Sequence, residues 1–106
     1  MSNIQFLNHK VEMYEGCKGK VYSSPLQEIQ LNNNMQQAEV VLKGFALSFA
    51  GTEHPINLIS VDIVDVSFDN QTKKVKFRTN LAMKDNTGNF DDGYYGSVEV
   101  LVIGTN

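Results

Sequence analysis

The sequence is poor in the residues that most often carry chemistry. Its single cysteine, Cys17, excludes a disulfide within the chain and is what a reducing compartment permits. There is no tryptophan, and the only histidines are His9 and His54. Two histidines and one cysteine at irregular spacing make a poor zinc set. Cys17 has no histidine beside it in sequence and reads as a small turn or edge residue rather than a nucleophile. The stretch Gly16-Cys17-Lys18-Gly19-Lys20 lacks the G-x-x-x-x-G-K-[ST] spacing of a phosphate loop. With no nucleophile, base and orienting group brought together in sequence, no enzyme is expected. No apolar run approaches the ~18 residues of a membrane span. The opening Met1-Ser2-Asn3-Ile4-Gln5 carries neither a basic segment nor an apolar one, so no signal peptide is expected and a cytoplasmic or virion-associated location is favoured. A net charge of −3 argues against nucleic-acid binding, which rests on neutralising phosphates.

What is abundant is alternation. Val75, Phe77, Thr79, Leu81 and Met83 alternate with Lys74, Lys76, Arg78, Asn80 and Ala82. That is the period of a strand with one face buried. Val98, Val100 and Val102 repeat the pattern, and the whole of Val75 to Ile103 reads as a hairpin around an acidic loop. Val11–Tyr14 and Lys20–Tyr22 read as a shorter hairpin around Gly16–Gly19. Gln27–Leu31, Ala38–Ala50 and Ile56–Phe68 read as further strands, while Ile4–Leu7 fits a strand or a helical turn equally. The last two long runs change phase, at Gly44 and near Ile63-Val64, and each change implies a bulge. At Ile63-Val64 the bulge is expected to bring Val64, Val66 and Phe68 to the core beside Ile59, Val61 and Ile63. Asp69-Asn70-Gln71-Thr72 reads as a tight turn. At 106 residues the chain is expected to be one domain, 1–106, folded as an all-β, antiparallel β-sandwich of six to eight short strands.

The candidate binding residues cluster late. Asp85, Asn86, Asn89, Asp91 and Asp92 make the densest group of oxygen donors in the chain. A metal-free acidic loop is the expectation, and the alternative is Ca²⁺ held by Asp85, Asn89 and Asp91, although the spacing is not that of an EF-hand. Tyr94 and Tyr95 follow, and neighbouring strand residues face opposite ways, so one should pack and the other be presented. A presented tyrosine beside carboxylates and amides suits sugar recognition or a subunit interface. Lys73, Lys74, Lys76 and Arg78 form a basic stripe, read as a solvated outer face or as a contact for a polyhydroxyl or anionic ligand.

From Pro55 onward the order of features resembles the H-type lectin family. The matching stretches are Pro55-Ile56-Asn57-Leu58-Ile59-Ser60-Val61, an acid at Asp65, Lys74-Val75-Lys76-Phe77-Arg78, Gly88-Asn89-Phe90 and the closing strand Val98 to Ile103. The resemblance covers about half the chain. Departures are the absence of a tryptophan near the last strand, of a cysteine pair, and of a histidine where Asp92-Gly93 stand. It implies a sandwich that assembles as trimers or hexamers and binds galactose-type sugars, with Arg78 and Tyr95 at the positions that help form the sugar site. A similar domain is used at the tips of some phage tail fibres. The function expected is therefore a non-catalytic, lectin-like carbohydrate-binding module acting as a homo-oligomer, with a trimer favoured. The alternative is a structural or assembly protein of a phage tail or virion without sugar binding. Apolar residues on both faces of Ile56–Phe68 and Val98–Ile103 support the oligomer, because a two-layer sandwich covers only one face of each sheet.

Overall fold

A computed structural model describes residues 3–17, 22–49, 56–85 and 94–106 of the chain. Seven strands form: β1 (Ile4–Cys17), β2 (Tyr22–Ser23), β3 (Gln27–Gln30), β4 (Gln37–Phe49), β5 (Ile56–Asp69), β6 (Lys74–Asp85) and β7 (Tyr94–Thr105). They make two antiparallel sheets. Sheet A has the order β1-β7-β4, and in sheet B the central strand β6 is flanked by β5 on one side and by β2 and β3 on the other. The sandwich is a rod of 53 × 20 × 18 Å. Its length follows from strands of 12 to 14 residues, each spanning roughly 40–46 Å.

The alternation of the two central strands builds the core. Val75, Phe77, Thr79, Leu81 and Met83 of β6 and Val98, Val100 and Val102 of β7 are all essentially inaccessible to water. Val11, Leu31 and Met35 close the same cluster. Fully burying a side chain of this size contributes roughly 1.5–3 kcal/mol. Val75 to Ile103 is not a hairpin: β6 and β7 pair with different neighbours in different sheets. In one sheet their two apolar faces would lie side by side and uncovered. As centres of opposed sheets they cover each other.

Residues 18–21 of the expected hairpin around Gly16–Gly19 lie outside the described residues, and among the described ones its two arms do not pair with each other. β1 runs unbroken through Ile4–Leu7 and pairs with β7, while β2 pairs with β6. Ile4–Leu7 is thus a strand. Its alternation continues as Leu7, His9 and Val11, opposite Val102, Val100 and Val98. The hairpin that does form joins β5 to β6.

Both long strands carry their irregularities. In β4 the register shifts between Leu42 and Gly44, so that Val40 and Leu42 before it and Phe45 and Leu47 after it all oppose inner residues of β7. In β5 the register shifts twice, between Ile56 and Leu58 and between Val64 and Ser67, with Asp65 in the left-handed region at φ 56°. This second bulge returns only Phe68 to the inner face, opposite Val75. Val64 opposes Arg78 on the outer face, and Val66 is exposed. The expectation that all three reach the core fails because the bulge opens after Val64, not before it.

The β5–β6 turn is held by Asp69. Its Oδ1 accepts from the backbone N–H of Gln71 at 2.8 Å and of Thr72 at 3.2 Å, while Lys73 N donates to the Asp69 carbonyl at 2.7 Å. Lys73 takes the left-handed φ of 61° that ends the turn. The two backbone donors hold the Asp69 carboxyl below its ordinary range. A depressed folded-state value means that this stabilisation is complete above the unfolded value, about pH 4, and is lost as pH falls through the lowered one. Melting curves from pH 6 to pH 2.5 should therefore show Asp69→Asn losing less of its Tm on acidification than the wild type. Parallel losses in the two proteins would show that the carboxylate contributes nothing to the acid limb.

Candidate functional site

The structure spreads the expected site residues over two faces and the core. Asn86, Asn89, Asp91 and Asp92 lie outside the described residues, and Asp85 ends β6. Arg78 is on the outer face of sheet B, where its guanidinium donates to the Ser24 carbonyl at 3.1 Å and its Nε lies 3.7 Å from Asp65 Oδ2. It thereby ties the β2–β3 connection to the β5 bulge. Seven residues of strand separate it from Asp85, roughly 23 Å, well beyond the reach of an arginine side chain. Tyr95 is on the outer face of sheet A, on the opposite side of the sandwich. Arg78 and Tyr95 therefore do not share one site within a single chain.

The two tyrosines divide as strand geometry requires. Tyr94 is buried, and its hydroxyl donates to the Leu81 carbonyl at 2.9 Å, bonding β7 to β6 across the core. Tyr95 is 43% exposed. It opposes Ser48 of β4 and stands over a shallow depression of about 240 Å³ lined by Ser48, Ala46, Gly96, Ser97, Lys10 and Glu12. Gly96 makes this floor possible. A Cβ there would sit 2.1 Å from the Ala46 carbonyl oxygen, so only glycine lets β4 approach β7 this closely. Small residues cover the floor, and the Lys10–Glu12 ion pair, at 3.4 Å, forms one wall.

Continuing along the same face, Glu99 opposes Lys10 and Gly44, Leu101 opposes Asn8 and Val41, and Ile103 opposes Phe6 and Glu39. The face thus has two halves. One, ending at Tyr95, is built of small residues beside the charged Lys10, Glu12 and Glu99; the other is mainly apolar, with Ile4, Phe6 and Val41 exposed, Leu101 and Ile103 half-buried, and Gln37 and Glu39 along its β4 edge. Sequence reading missed the small polar half. Gly44, Ala46, Ser48 and Ser97 carry no chemical signature, and only the phase shift in β4 puts them together.

Other candidates resolve into structure. His9 points inward, with Nε2 3.0 Å from Gln27 Oε1 and its ring edge-on to Phe77. Eight residues of β1, roughly 27 Å, part it from Cys17. In the basic stripe, Lys76 pairs with Glu28 at 3.4 Å and Lys73 lies over the Phe68 ring. A larger groove of about 590 Å³ at the far end of the rod is framed by Gln36, Gln37, Glu39 and Thr105, and its one aromatic, Phe68, packs against the core. Among the described residues no group of three or more His, Cys, Asp or Glu side chains could hold a metal, and no helix is long and apolar enough to cross a membrane.

The buried and the presented tyrosine should answer differently to loss of the hydroxyl. Tyr94→Phe removes this buried hydrogen bond and should cost about 0.5–1.5 kcal/mol in urea unfolding. Tyr95→Phe should stay within about 0.5 kcal/mol of the wild type. Equal effects would contradict the division of the pair.

Comparison of the chain with family models, curated proteins and solved structures found no match, so its function is argued from its own residues.

Proposed function

We propose that this protein is a non-catalytic carbohydrate-binding module of the H-type lectin kind that works as a homo-oligomer, a trimer by that resemblance. The observation that carries the reading is the presented Tyr95 ring at an open depression walled on one side by the Lys10–Glu12 ion pair, close in sequence to Asp91 and Asp92. An aromatic ring stacks on the C–H face of a sugar, while carboxylates, amides and ammonium groups exchange hydrogen bonds with its hydroxyls. Each such bond replaces one to water and nets only about 0.5–1.5 kcal/mol. One site is therefore weak, and useful binding comes from several copies held on one oligomer.

A second reading, a structural or assembly protein, is favoured by the apolar half of the outer face of sheet A. Ile4 and Phe6 are 57% and 61% exposed there. Contiguous apolar surface of this kind marks an interaction site, and self-association would serve either reading.

A screen over galactose-, glucose-, mannose- and sialic-acid-type glycans, run on verified oligomer, separates the two. The lectin reading expects binding that Tyr95→Ala weakens at least tenfold and that Asp91→Ala and Asp92→Ala also weaken, all without loss of fold. No binding to any glycan would leave the assembly reading. If Asp85, Asn89 and Asp91 hold Ca²⁺, EDTA should lower both glycan affinity and Tm; unchanged values mean a metal-free loop. Light scattering should give an oligomer at micromolar concentration, and Phe6→Ser should shift it towards monomer. A monomeric wild type would remove the avidity on which the lectin reading depends.

A further inference from the structure

The depression beneath Tyr95 is the first of three in line along β7. The second, about 350 Å³, is floored by Gly44, Ala46 and Ser97, walled by Glu99 and Lys10, and edged by the exposed Phe45. The third, about 260 Å³, lies among Asn8, Lys10, Lys43 and Glu99. Lys10, Ala46 and Ser97 are common to the first two, and Lys10 and Glu99 to the last two, so the three are one open trough. From Tyr95 to the row of Glu99 and beyond it runs roughly 15 Å, at about 3.4 Å per residue. At its far end Lys43 reaches across β7 from one edge strand to the other and donates to Asn8 Oδ1 at 2.9 Å. Past that strap the face turns apolar.

Resting on the carbohydrate reading, we infer that the ligand is an internal stretch of a neutral, linear glycan laid along β7 on the outer face of sheet A, not a single terminal sugar. Shape and charge both point there. A terminal sugar needs one enclosed pocket, whereas this trough is open at both sides and longer than one sugar ring. Its ionic side chains are two lysines, Lys10 and Lys43, and two glutamates, Glu12 and Glu99. Their charges cancel, so a polyanion such as a nucleic acid or an acidic polysaccharide gains no net attraction. A neutral polyhydroxyl chain uses both kinds of group, ammonium groups as donors and carboxylates as acceptors. Tyr95 supplies the stacking platform at one end. The low floor of Gly44, Ala46, Ser48 and Ser97 lets a chain lie close to the sheet. The apolar residues beyond Lys43 would strip water from hydroxyls without replacing it, which limits the chain to the polar half.

The test is a length series. Isothermal titration would use mono- to hexasaccharides of β-1,4-glucan, β-1,3-glucan, α-1,4-glucan and β-1,4-galactan. In at least one series affinity should rise tenfold or more from monosaccharide to tetrasaccharide and then level off. Gly44→Gln, where an added Cβ meets no atom within 4 Å, fills the floor of the second depression, and Lys43→Ala removes a donor from the third. Neither residue lines the depression beneath Tyr95, so each should lower tetrasaccharide affinity at least tenfold, monosaccharide affinity less than threefold, and Tm by no more than a few degrees. Equal affinity for monosaccharide and tetrasaccharide in the wild type would overturn the inference and leave the carbohydrate reading standing. So would tetrasaccharide binding that both trough substitutions leave unchanged, or binding found only for anionic or terminal-sugar glycans in the broader screen. No binding in any series or in that screen would overturn both.

Discussion

The sandwich depends on the packing of β6 against β7 across a dry interior. Val75, Phe77 and Leu81 on one side and Val98, Val100 and Val102 on the other have no accessible surface, and the remaining core residues gather around them. Because these are the central strands of the two sheets, every other strand is positioned by pairing to one of them. The Tyr94 hydroxyl adds one directed bond across the same interface. Interiors at crystal-like density fix the spacing of the two sheets, and with it the faces that β1, β4 and β5 turn outward.

That dependence explains what the sequence revealed and what it concealed. Alternation in β6 and β7 is local and strong, so which residues are inside could be read directly. So could the phase changes in β4 and β5, because a run of apolar residues that switches parity needs an extra residue somewhere. Partnership is different. The pattern of Val11 to Tyr14 says that a strand is present but not that it pairs with β7, nearly ninety positions away by the register of Val11 with Val98. The same gap hid the geometry of the candidate site. Arg78 read correctly as an outer-face residue, and one of Tyr94 and Tyr95 as presented without saying which, yet sheet membership has no signature in a period of two. Arg78 and Tyr95 consequently lie on opposite sides of the molecule.

The outer face of sheet A is the part of the surface where composition changes most sharply along one direction. Moving along β7 from Tyr95, the exposed side chains pass from small and hydroxylic, through balanced charge, to mainly aliphatic and aromatic ones, with Gln37 and Glu39 along the β4 edge. A polar trough and an apolar patch on the same rigid face can be used at once by different partners, and the Lys43–Asn8 strap marks their border. The opposite face, with Arg78, Lys76 and Glu28 tied to neighbours, offers no comparable division.

The place of β7 in sheet A also bears on how the chain comes to be folded in a cell. Sheet B can form as soon as β6 has been synthesised, because β2, β3 and β5 all precede it and all pair with it or flank it. Sheet A cannot. β1 and β4 never touch as neighbours; each pairs only with β7, the last of the seven strands to leave the ribosome. Until then both are long strands without a partner, exposing apolar side chains and open backbone groups that invite mispairing. Non-local pairing of this kind is slow to form. The nascent chain therefore spends its most aggregation-prone interval with half of its sandwich made and the other half waiting for the strand that joins it.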